Sequence, residues 1–145
     1  MPIYMQYPGI PGTINTKEHP HWIELQSAQF GIGRGISNPT GSNMHRETST
    51  PNLSEVVVTK LLDIASTRLF QESLQGEGKT VTIVFLQNDQ QGLKEYLRIV
   101  MENTMISSYQ VGGGGQGSQM ESLSLNFTKL KFVVKDQGPG AKGGP

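Results

Sequence analysis

The residues best suited to hold a metal are three histidines: His19 and His21 stand one position apart beside Glu18, and His45 lies further along. On an extended strand, residues i and i+2 share a face, so the first two imidazoles would point the same way. A metal needs at least a third ligand with supporting geometry, and only His45, in a coil-like stretch, is left. No metal site is assigned. Gly31 to Gly35 (GIGRG) has glycines of the kind that cradle phosphate, but it runs into coil with no helix N-terminus to face the phosphates. Gly112 to Gly117 (GGGGQG) has no Lys-Ser or Lys-Thr after it and reads as a hairpin or strand connection. No serine sits in a nucleophile elbow and no spacing of carboxylates singles out an acid and base pair. The chain has no cysteine, which removes disulfides, thiolate metal sites and a cysteine nucleophile together. Catalysis lacks a candidate, and no cofactor is expected.

The elements around these residues are mostly strands. Ile3 to Tyr7 opens the chain and ends at the two Pro-Gly pairs of residues 8 to 12. His21 to Ile32 reads as one long strand, with Ile23, Leu25, Ser27 and Gln29 on one face and Trp22, Glu24, Gln26, Ala28 and Phe30 on the other. Residues 33 to 52 (GRGISNPTGSNMHRETSTPN) show no apolar period and read as a long loop, a length uncommon in compact domains without a role. Ser54 to Leu62 returns to strand composition with three consecutive valines. One short α-helix is expected over about Ile64 to Gln75, capped by Asp63 or Ser66 and stopped by Gly76, packing a stripe of Leu69, Phe70 and Leu74. Strands at Lys79 to Gln87, Leu93 to Glu102 and Thr104 to Val111 follow, the first apolar on both faces, either lying under the helix or buried by another subunit.

The last third is a single strand-forming run, Met120 to Lys135. Its apolar side chains fall at Leu123, Leu125 and Phe127 and then shift phase to Leu130, Phe132 and Val134. An inserted residue at a β-bulge near Thr128 or Lys129 explains the shift, as at a barrel corner. Two short strands joined at Thr128-Lys129 is the alternative. Behind the run, residues 136 to 145 are a flexible tail rich in Gly and Pro.

Length suits one domain over residues 1 to 145. Twelve basic and twelve acidic residues balance, and a charged fraction of 17% is low, which argues against nucleic acid and suits a protein that assembles with copies of itself. No basic n-region with an apolar core opens the chain and no eighteen apolar residues run together, so neither a Sec signal peptide nor membrane insertion is expected.

Taken in order, Val58-Thr59-Lys60 with Asp63, Tyr96-Leu97, Ser107-Ser108 ahead of the glycines, Leu125-Asn126-Phe127 and Gly140-Ala141-Lys142 before Gly143-Gly144-Pro145 resemble a known series. It is that of the haemolysin-coregulated protein (Hcp) family, the inner tube of the bacterial type VI secretion system. Val58 stands where the family has phenylalanine, and many members continue past the position of Pro145. The resemblance implies a mainly β subunit, a β-barrel of two antiparallel sheets with one flanking helix and a long extended loop. It further implies homohexameric rings stacked into a hollow conduit, exported from the bacterial cytoplasm without a Sec signal, with sheath, spike and effector proteins as partners. Loop residues Arg34, Asn38, Asn43, His45, Arg46 and Glu47 are then candidates for ring stacking, and Ser27 and Gln29 for the lumen or effector contact. The other reading is a monomeric β-barrel binding module, such as an effector adaptor or a phage-tail tube-like protein.

Overall fold

In a computed structural model of the chain, the residues described are 1–30, 32–33, 36–37, 47–48, 52–53, 55–117 and 119–135. The strands are β1 (Ile3–Gln6), β2 (Ile14–Asn15), β3 (Pro20–Leu25), β4 (Ser27–Gln29), β5 (Ile32–Gly33), β6 (Ile36–Ser37), β7 (Glu47–Thr48), β8 (Asn52–Leu53) and β9 (Val56–Leu61). Helix α1 (Ser66–Gln75) follows, then β10 (Lys79–Asp89), β11 (Gly92–Gly112), β12 (Met120–Asn126) and β13 (Lys129–Val134).

Nine strands form one sheet in the order β2-β3-β1-β10-β11-β12-β9-β4, with β13 also paired to β11. The ladder is open at its ends, so the expected barrel of two sheets does not close by hydrogen bonding among the described residues. The path nonetheless wraps one main core. Met5, Ile23 and Ile83 from its first half pack with Val58, Leu123 and Leu125 from its second. Strands β3 and β4, which sit in opposite halves of the path, are separated by Gln26 alone, whose N–H donates to the Thr59 carbonyl at 2.7 Å.

Strand β11 carries the architecture. Its first part pairs with β10 on one side and β13 on the other, and its last part pairs with β12. Asn103, with φ 55°, marks the bend between the two parts, at the boundary the sequence places between two strands.

The run from Met120 to Lys135 differs from the expected bent strand: it is two strands, β12 and β13. Glu102 faces Lys129 and Met105 faces Asn126, leaving two residues on each side of the gap, so no residue is inserted at Thr128. The break lies opposite Asn103 because the neighbouring strand bends there. The inserted residue sits instead at Ser107, where the register shifts between Ile106 and Ser108.

A second correction concerns the expected strand from His21 to Ile32, which breaks at Gln26. Ile23 and Leu25 point into the core, yet so does Ala28 after the break, so Ser27 and Gln29 turn to the opposite face from Ile23 and Leu25. Trp22 also is buried, in a small second core with Tyr4, Val84, Leu86 and Ile14. That second core covers the other face of β10 with the chain's own N-terminal segment, rather than with the helix or another subunit.

The expected loop of residues 33 to 52 is also not uniform coil. Ile32–Gly33 pairs with Asn52–Leu53, and Ile36–Ser37 with Glu47–Thr48. The helix begins two residues later than expected and buries only Leu69 of its own residues, above Ala65 one turn earlier. Phe70 and Leu74 share a stripe about 100° round from Leu69 and stay exposed, so the expected single packed stripe is two.

Candidate functional site

The outward face of the second half of the sheet is built by strict alternation. In β9, Val56, Val58 and Lys60 point in and are buried, so Val57, Thr59 and Leu61 point out. In β12, Glu121, Leu123 and Leu125 point in, so Met120, Ser122 and Ser124 point out. Registers across four strands then align two rows, Ser27–Thr59–Ser122–Gln110 and Gln29–Val57–Ser124–Ser108. Every member except Val57 carries a hydroxyl or an amide, and none carries a charge.

Ser27 and Thr59 hydroxyls lie 2.6 Å apart, one donating to the other. Ser27 is half-buried and Gln29 exposed. The two positions singled out from sequence thus lie side by side on this face. The sequence does not assign Thr59, Ser108, Gln110, Ser122 and Ser124 to this face, although the polar half of the alternation in β9 and β12 carries that signal. The face offers donors and acceptors without fixed charge, so it can hold water and touch a polypeptide without selecting for its sign. Among the described residues, no cation ligand set stands on it.

Beneath this face a buried ion network fixes the helix to the sheet. Lys60 Nζ donates to Glu121 Oε1, to Asp63 Oδ1 at 2.8 Å and to the Leu61 carbonyl at 2.8 Å. Ser66 Oγ donates to Glu121 Oε1 at 2.9 Å, and Tyr109 Oη donates to Glu121 Oε2. Lys60 and Glu121 have fully buried side chains. Burial, followed by the hydrogen bond to Glu121 and the charges of Glu121 and Asp63, pushes the Tyr109 phenol well above its ordinary pKa of 10. Asp63 Oδ1 also accepts from Ala65 N at 2.9 Å, while Asp63 N donates to Ser66 Oγ at 2.9 Å. That reciprocal pair closes the turn ahead of the helix, but the N-cap residue is Ala65, which makes no side-chain cap hydrogen bond, so the cap is not the one expected of Asp63 or Ser66.

A second cluster joins the first half of the sheet. Glu95 Oε2 accepts from Arg98 Nη2 at 2.6 Å and from His19 Nε2 at 3.2 Å, and Oε1 accepts from Arg98 Nε at 3.0 Å and Lys135 Nζ at 3.1 Å. His19 is buried between the edges of Tyr4 and Trp22, whereas His21 is exposed with φ 65°, so the pair does not converge on one site. Burial pushes the Glu95 pKa up, but the hydrogen bonds from Arg98, His19 and Lys135 and the Arg98 charge outweigh it and hold the carboxyl at about 2, against 4.5. A depressed acid contributes stability above its unfolded pKa and loses it as pH falls through the folded one. Wild-type stability should therefore decline from pH 4.5 towards pH 2, and Glu95→Gln should flatten that decline in acid titrations followed by circular dichroism. An unchanged slope would remove Glu95 from the account.

Of the loop residues expected to stack rings, Arg34, Asn38, Asn43, His45 and Arg46 lie outside the described residues, as does the tail of residues 136 to 145. Glu47 is described through its backbone, paired with Ser37.

Comparison with known proteins places this geometry. The family model described as "Type VI secretion system effector, Hcp" matches residues 4–133. A solved type six secretion system protein superposes with a TM-score of 0.84 at 20% identity, covering 97% of this chain and 87% of its own. The Hcp1 protein from E. coli EAEC 042, in mutant form, gives 0.78 at 20% identity, with 94% and 93% covered. A chain of the anti-feeding prophage baseplate gives 0.60 at 13% identity, with 92% and 91% covered. Among curated proteins none matches. At such identities the superpositions establish the fold, and the family model establishes the kinship.

Proposed function

This chain belongs to the Hcp family of type VI secretion, a family of secreted tube proteins rather than of enzymes, and from that premise we propose that it is a structural subunit of the tube. Six copies form a ring, rings stack into a hollow conduit, and the conduit leaves the cell with effectors held in its bore. The observation that carries this reading is the pair of uncharged rows across β4, β9, β12 and β11. A bore that must let varied cargo pass needs a hydrated wall without strong fixed charge, and seven hydroxyl or amide side chains in register supply one. We assign this face, with Ser27 and Gln29 at its β4 edge, to the lumen.

Two further features support self-assembly. Exposed apolar side chains stand on different elements, Phe70 and Leu74 on the helix and Phe132 and Val134 on β13. Distinct patches that meet head to tail generate a ring when the rotation closes. Sheath, spike and effector proteins are the partners such a tube requires, and export proceeds from the bacterial cytoplasm.

Light scattering is expected to give a particle of six times the 15.8 kDa chain. Deleting residues 36 to 50 should leave that particle intact and abolish its stacking. A monomer at high concentration would refute the ring, and stacks formed by the deletion variant would refute the loop's part in it.

A further inference from the structure

Helix α1 is held differently at its two ends. At its start, Ser66 and the preceding Asp63 are tied to the buried Lys60 and Glu121. Of the helix's own residues only Leu69 is buried, so the last turn sinks no apolar side chain, and its Leu74 is 71% exposed. What holds the last turn is polar. Glu72 Oε1 accepts from Lys79 Nζ at 3.2 Å, with the two side chains 14% and 31% exposed. An ion pair this close to water contributes little to stability. A cleft of about 280 Å³ separates this half of the helix from the Gly9 turn, with Gln71, Glu72, Gln75 and Lys79 along it.

Beside Glu72 lie two polar atoms that the closed fold does not satisfy. Tyr7 is 2% exposed, and among the described residues neither its hydroxyl nor Glu72 Oε2 has a hydrogen-bond partner. Lys79 Nζ, which holds the other oxygen of Glu72, stands 5.9 Å from the centre of the Tyr7 ring, so the three groups share one place. Burial first, and then the Glu72 charge, push the Tyr7 phenol well above its ordinary pKa of 10. It therefore keeps its proton and remains a donor without an acceptor. Buried and unpaired, each of these atoms carries a desolvation cost that contact with water would relieve.

The connector to β10 adds an independent point. A Cβ on Gly76 would stand 2.5 Å from Glu72 Oε2, and one on Gly78 would stand 1.7 Å from Asn103 Oδ1. Neither glycine has positive φ. The closed form needs them for room alone, and they leave the segment after the helix with little torsional resistance.

We propose that the last turn of α1, residues 72 to 75, is a strap that opens about the anchored start of the helix while the sheet stays folded. Opening hydrates Tyr7 Oη and Glu72 Oε2. That gain offsets the loss of the Lys79 contact and of the last helical hydrogen bonds, among them Gly76 N to the Glu72 carbonyl at 2.8 Å. Segments with few buried apolar contacts are the ones that open below the global unfolding free energy. The inference concerns one subunit and stands apart from the tube reading.

Amide hydrogen exchange on the whole chain tests it. In the wild type, the amides of Leu74, Gln75 and Gly76 should exchange about tenfold or more faster than Leu69 N, which donates to the Ala65 carbonyl at 3.0 Å. Tyr7→Phe deletes one unpaired hydroxyl and keeps the ring, so it should slow exchange at those three amides by about fivefold or more. Wild-type exchange no faster than at Leu69 would overturn the inference, because the turn would then open only with the whole fold. Rates that Tyr7→Phe leaves unchanged would overturn it as well, since simple fraying of a helix end does not depend on Tyr7. Faster exchange in Tyr7→Phe, or a variant that fails to fold, would show that the hydroxyl is paired in the closed form, and would equally overturn it.

Discussion

Lys60→Met is expected to cost about 3–5 kcal/mol of folding stability, because it leaves a buried carboxylate without its cation. Glu121 is fully buried, and among the described residues the Lys60 ammonium is its one charged partner; Ser66 and Tyr109 supply neutral hydrogen bonds. The same change removes an ammonium that ties the carbonyl of Leu61 and the Asp63 carboxylate to the sheet, so the turn ahead of the helix loosens as well. For a domain of this size the melting temperature should drop by about 10 °C. Urea denaturation of Lys60→Met, Glu121→Leu and the double variant gives the coupling between them. The double variant should be more stable than the sum of the singles implies, since it orphans no charge at the centre of the network. A loss below about 1 kcal/mol for Lys60→Met would mean that the buried carboxylate does not depend on Lys60.

Gly12→Ala is expected to be nearly as damaging, for a reason of shape alone. A Cβ on Gly12 would stand 2.3 Å from the Trp22 carbonyl oxygen and 2.5 Å from the Ile23 Cα, both backbone atoms of the neighbouring strand. Backbone cannot swing aside as a long side chain can, so β3 would have to move as a unit. Gly12 N also donates to the His21 carbonyl at 2.8 Å, which holds β3 against its entry, where His21 takes φ 65°. Overpacking here should cost about 3 kcal/mol and disturb the second core around Trp22. Gly114→Ala is the matched control: its Cβ meets nothing within 4 Å, and monomer stability should change by less than about 0.5 kcal/mol. Equal losses in the two variants would mean that backbone entropy, not contact, sets the effect.

Residue patterns reveal most of the strands here, and misplace the points where the chain changes face. Alternation in Val56 to Lys60 and in Glu121 to Leu125 is legible because each inward residue is apolar or tied into one buried network. The reversal at Gln26 is not legible, since nothing in HWIELQSAQF distinguishes a straight strand from one that breaks to join both halves of the sheet. What fixes it is a hydrogen bond to Thr59, more than thirty residues away in the chain. The phase shift after Phe127 is visible in the sequence but is not an insertion, because β12 and β13 follow a bend in β11 that Asn103 makes. Ser27 and Gln29 can be picked out as polar positions. Their five neighbours in the two rows come from three other strands, and only the registers bring them together. Phe70 shows the same limit at helix scale: periodicity finds an apolar side chain, while the exposure of its stripe depends on what the sheet leaves uncovered.

Electron cryo-microscopy of the purified protein tests the tube subunit most directly. The account predicts six-fold rings with a central bore whose wall carries Ser27, Thr59, Ser122, Gln110, Gln29, Ser124 and Ser108. Isolated monomers, or rings that turn these rows to their outer surface, would contradict it.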